Sequence, residues 1–131
     1  MCSPQQARQR AAIARAYLES SELINAERAE LKDEYRSVAA GLAVLAGIAA
    51  SDAICGRRLG KIHRGEDHRG ATDLLRAAVP DGKGLAMKLA RLLDMKDEVH
   101  YGIYFVSGRK AADAIRAARV LVDRAKTEVE R

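Results

Sequence analysis

Apolar residues return every three or four positions along most of this chain, a rhythm that predicts helices. The first helix opens at Ser3-Pro4, a capping residue followed by a proline suited to a first turn. Ala7, Ala11, Ala14 and Leu18 mark its inner face, and the pattern extends through Ile24 to about Ala29. Ser20-Ser21 interrupts it as a weak point. Residues 27–36 are dense in charge and predict a bend or short connection. A second helix is expected over roughly Asp33 to Leu59. Its middle, residues 38–50, is apolar on every face, the pattern of a helix surrounded by others. Gly41 and Gly47 weaken this helix by roughly 1 kcal/mol each relative to Ala, and are expected to let neighbouring backbones come close.

Residues 56–70 hold four glycines and many charges and read as a loop. A third helix is expected from about Asp67 to Ala78, with Ala71, Leu74, Leu75 and Ala78 inward. Pro80-Asp81-Gly82 makes a turn. A fourth, leucine-striped helix runs from about Gly84 to Tyr101. Tyr104-Phe105-Val106 is too short for a sheet and reads as a packed connection. Ser107 caps a fifth helix, whose Ala112, Ile115, Ala118, Val122, Ala125 and Val129 form one stripe. No internal repeat appears. The expected fold class is all-α: one domain over 1–131, an up-down bundle of about five helices.

Composition sharpens this picture. With one Phe, four Tyr and no Trp, the core must be aliphatic, which suits closely packed helices. The uncharged run 37–51 is shorter than the about 20 residues of a membrane span, so a buried central helix is expected, with no membrane partner. Residues 1–9 lack the apolar centre of a secretion signal. Cys2 and Cys55 are therefore expected to be reduced thiols in a cytoplasmic protein. The net charge is +5. Residues 57–69 carry five cations against two anions, and residues 107–131 carry seven against four. Such a bias permits nucleic-acid or nucleotide binding without requiring it.

Two stretches carry candidate chemistry. In Lys96-Asp97-Glu98-Val99-His100-Tyr101-Gly102, helical spacing lets Lys96, Asp97 and His100 touch. An aspartate beside a histidine orients the ring for proton transfer, and a cation can stabilise a phosphorane. The plainer reading is a helix end with His100 favoured by the dipole. The second stretch is the loop around His63-Arg64-Gly65-Glu66-Asp67-His68. Its spacing matches no strong metal signature, so no metal or cofactor is expected. Arg57, Arg58, Lys61, Arg64 and Arg69 are candidate phosphate or nucleic-acid contacts. Asp67 can instead simply cap the third helix. Asp52, an acid near the helix core, is expected to pair with a cation.

Taken together, Lys96, Val99 and Tyr101-Gly102, the capping Ser107 and the alanine-spaced helix after it resemble a subgroup of the HEPN superfamily of small prokaryotic helical bundles. Asp52 in a long second helix, Asp67-His68 and Leu74-Leu75 fit the same layout. The resemblance implies a HEPN-like bundle. Catalytic members are metal-independent ribonucleases whose signature is an Arg, four to six residues and a His, paired across two protomers. His100 matches the histidine. The positions for the Arg hold Leu93, Asp94 and Met95, and Arg91 has eight residues between it and His100, more than the signature allows. Lys96 shares the face of His100 but lacks the bidentate fork of Arg. The resemblance thus implies a non-catalytic, homodimeric or accessory module. Its expected partners are nucleotide, RNA, or a protein such as a nucleotidyltransferase in a toxin–antitoxin-type pair. The alternatives are a divergent ribonuclease using His100, with Lys96 in place of Arg, and a purely structural interaction bundle.

Overall fold

The structure is a computed structural model that describes residues 1–28, 33–102 and 104–131, with all their side chains except those of Arg28 and Tyr101. Five helices follow in order: α1 (Pro4–Arg28), α2 (Asp33–Leu59), α3 (His68–Ala78), α4 (Gly82–Tyr101) and α5 (Gly108–Val129). No strand occurs among the described residues, and the chain is an all-α bundle. The connection expected within 27–36 falls largely on residues 29–32, outside the described residues.

Local chemistry sets the helix ends. Ser3 Oγ accepts from the Gln6 N–H at 3.1 Å while Gln6 Oε1 accepts from the Ser3 N–H at 2.8 Å, a reciprocal capping box. Asp67 caps α3 by accepting from the Arg69 N–H, and Ser107 caps α5 by accepting from the Lys110 N–H.

α2 is the axis of the bundle and packs against all four other helices. By length and composition it could cross a membrane, yet 72% of its most apolar window is buried inside the fold. Its alanines, with Gly41 and Gly47, make it thin enough for neighbours to close on every side. At Gly47 the neighbour is a side chain rather than a backbone: a Cβ there would overlap Leu92 Cδ1 of α4. Ala7, Ala11, Ala14 and Leu18 all face this core.

Three expectations change on folding. Ser21 does not weaken α1. It is fully buried, and its hydroxyl donates to the Ala39 carbonyl at 2.6 Å, joining α1 to α2. In α5 the buried stripe runs through Ala111 and Ala114 to Val129, while Ala112 is only half-buried. The 104–106 connection packs only through Val106, whose N–H donates to Ser37 Oγ at 2.9 Å; Tyr104 and Phe105 are exposed.

A charge network missed in the sequence closes the far end. Glu128 of α5 is fully buried and accepts from Arg58 of α2 and Arg124 of α5, each at 2.7 Å. Arg124 also grips Asp81, in the α3–α4 turn, through both carboxylate oxygens. Burial works to raise the Glu128 carboxyl, but the hydrogen bonds from Arg124 and Arg58 prevail and hold it below its ordinary range.

Candidate functional site

Between α2, the 60–67 loop, the start of α3 and α4 lies a polar hollow of about 110 Å³. Each wall is one helical face. Ile48, Ser51, Asp52 and Cys55 recur at three- and four-residue steps on α2, as do Leu89, Leu93 and Lys96 on α4. His63, Gly65, Glu66, Asp67, His68 and Ala71 complete the lining. Gly65 takes a positive φ of 100°, which turns the loop back toward α3. Gly70 leaves space for the His63 ring: a Cβ there would lie 2.7 Å from His63 Cε1 and 3.0 Å from Asp67 Oδ2.

Asp52 is the acid on the α2 wall, with a side chain only 17% exposed. Arg10 reaches across from α1 and donates to its Oδ2 at 2.9 Å, the cation partner expected for it. Burial raises the Asp52 carboxyl, and the charges of Arg10, Arg64 and His63 oppose that rise. His63 Nε2 is buried and has no hydrogen-bond partner among the described residues. Burial also pushes the Cys55 thiol up to about 11, so it carries little thiolate near neutrality. Among the described residues, no group of three or more His, Cys, Asp or Glu side chains is placed to hold a metal ion.

The fold divides the residues singled out in the sequence. Lys96 lines the polar hollow. His100 lines a different, apolar groove with Ser37, Val38, Gly41, Leu42, Leu45 and Val99. Asp97 is exposed and borders neither. Glu98 pairs with Lys110 of α5. The Tyr101 side chain lies outside the described residues. Arg91 lines a third hollow, on the α4–α5 side, with Met95, Asp113 and Arg116.

The basic loop is divided as well. Arg57 donates to the Arg131 carbonyl at 2.8 Å, and Arg58 is held by Glu128. Lys61 lies beside Cys2 and Ser3. Arg64 is the loop cation that acts on Asp52. Arg69 is exposed in the first turn of α3. Sequence reasoning missed Ser51, Arg10 and the placing of His63 and Lys96 on one hollow. The matching faces 48–52–55 and 89–93–96 were the available signal.

Chemically, the hollow offers carboxylates, an ammonium, two imidazoles and a hydroxyl over an apolar floor of Ile48, Ala71, Leu89 and Leu93. Fold and site together define an all-α bundle with a polar hollow between α2, the 60–67 loop, α3 and α4. No family model matches the chain, and no curated protein matches it.

Proposed function

We propose that this protein is a non-catalytic, HEPN-like binding module that holds a nucleotide or an RNA end at the hollow between α2, the 60–67 loop and α4. The observation that carries this is the convergence of Lys96 with His63, His68 and Asp52, which are distant in sequence, around one cavity. The positions of Lys96, His100 and Arg91 in three separate hollows favour binding over cleavage, since phosphodiester cleavage needs base and cation at one phosphate. Calorimetry with AMP and a short RNA in EDTA tests it. Lys96→Ala is expected to weaken binding by about tenfold or more, with no RNA cleaved. Cleavage by the parent protein that disappears in His100→Ala would replace this reading with a ribonuclease.

An apolar patch favours self-association as a second property of the same module. Tyr35 and Val38 of α2 are 40% and 50% exposed, and Tyr104 and Phe105 are 81% and 61% exposed. The Val106–Ser37 hydrogen bond holds the two segments at the same end of the bundle. Large exposed apolar patches mark interaction surfaces. Light scattering is expected to show a dimer at micromolar concentration, and Phe105→Glu is expected to shift it to monomer. A parent protein that stays monomeric at high micromolar concentration removes the proposal.

A further inference from the structure

We propose that the groove between α4 and α5 docks an acidic amphipathic helix of a partner protein. This site shares no residue with the polar hollow and does not depend on the nucleotide reading. Glu98 pairs with Lys110 at one end of the two helices, and Arg124 reaches back to Asp81 at the other, so α4 and α5 run antiparallel. Between those ties lies an open groove of about 470 Å³. It runs from Lys88 to Met95 on α4 and from Asp113 to Val120 on α5. Each stretch rises about 10 Å, or two helical turns. That length suits a docked helix anchored by apolar side chains at i, i+4 and i+7. Ala114 and Ala117 present only methyl groups, which keeps the floor low. Met95 and Ala117 are half-buried, and Val120 is 41% exposed. They form an apolar strip, and the flexible Met95 side chain can adapt to what lies on it.

The rim sets the charge of the occupant. Lys88, Arg91 and Arg116 face the groove against a single acid, Asp113. Arg116 already holds Asp113, so that carboxylate does not serve the other two cations. Lys88 and Arg91 make no ion pair among the described residues. Within one helical turn of either, the one acid is the exposed Asp94. Two like charges at i and i+3 repel, so an arriving carboxylate relieves a cost already present in the free protein. Among the described residues no aromatic side chain lines the groove. A single strand of RNA would therefore find phosphate contacts but no stacking surface. An acidic amphipathic helix uses both the rim and the floor, and complementary charge fixes its partner choice.

Fluorescence anisotropy on the full chain tests this with synthetic peptides of about 15 residues, long enough to form a helix. The first carries leucines at i, i+4 and i+7 flanked by glutamates. The second replaces the glutamates with lysines, and the third replaces the leucines with alanines. The first is expected to bind with a Kd of about 100 μM or tighter, and the other two at least about tenfold more weakly. The double variant Lys88→Glu, Arg91→Glu, and separately Val120→Glu, are each expected to weaken the first peptide by about tenfold or more. Their thermal midpoints should stay within a few degrees of the parent, since none of the three side chains is buried. Equal binding of the lysine peptide, or equal binding by parent and variants, would overturn the proposal. So would no binding of the first peptide at about 1 mM. A short RNA that binds the parent and is lost in the double variant, with the acidic peptide unbound, would make the groove a nucleic-acid surface instead. A parent dimer broken by the double variant in light scattering would assign the groove to a second copy of this chain.

Discussion

Arg124→Met is expected to destabilise the protein by about 3–5 kcal/mol, lowering the thermal midpoint by about 10 °C or more. The reason is the company Arg124 keeps. It holds the fully buried Glu128 and also clamps Asp81 in the α3–α4 turn. Removing it leaves Glu128 with Arg58 as its main partner and a buried carboxylate half-compensated. The sign with pH follows from the lowered Glu128 carboxyl. Its stabilising contribution is complete above its ordinary value of 4.5 and is lost as pH falls through the lower value of the folded state. The gap between parent and variant should therefore narrow as pH falls through that lowered value, where a protonated Glu128 no longer needs a cation. The double variant Arg124→Met, Glu128→Leu should recover most of the loss, because an apolar replacement of a buried pair is often close to neutral. Thermal melts at neutral and acidic pH check all three results. A shift below about 2 °C for Arg124→Met at neutral pH would show that Glu128 is not held as described.

Leu92→Ala is expected to cost about 3 kcal/mol, and Gly47→Ala in the same molecule should return part of that loss. Leu92 is fully buried and its Cδ1 occupies the space over Gly47. Truncating it leaves a cavity between α2 and α4. Gly47→Ala alone adds a methyl where none fits, at about 1–3 kcal/mol, offset by roughly 1 kcal/mol of helix propensity. With Leu92 already shortened, the same methyl fills space and keeps its propensity gain. Denaturant melts of the parent, both single variants and the double variant would measure the coupling. Strict additivity would mean that the two positions do not share one packing site.

Much of the fold was legible because its signals are local. Ser3 with Gln6, Asp67 and Ser107 sit at helix starts because a side-chain oxygen three or fewer residues away can satisfy an open N–H. The α2 range Asp33–Leu59 emerged from its all-round apolar run and charged flanks, and the inward faces of α1 and α3 from periodicity. Ser21 shows where local reasoning stops. A serine reads as a helix weakener until a partner from another helix, the Ala39 carbonyl, lies within reach.

The candidate site was legible only in pieces. Lys96 and the 63–68 loop each stood out by residue type, but Lys96 was grouped with His100 because they are one turn apart on α4. In the folded chain these two residues line different hollows, since α2 packs along α4 and places Asp52 beside the one and Gly41 beside the other. Arg57 and Arg58 read as candidate phosphate contacts, and in the fold Arg58 meets Glu128 of α5 while Arg57 meets the Arg131 carbonyl just beyond it.

The sequence by itself determined an all-α bundle of five helices, because backbone capping and apolar spacing act over a few residues. Only the tertiary structure decided that Arg10 meets Asp52, that Arg58 meets Glu128, and that the loop and Lys96 line one hollow. Those pairs stand 42 and 70 residues apart in the first two cases, and no local spacing encodes them. They form because burying one shared apolar core brings the polar ends of different helices together.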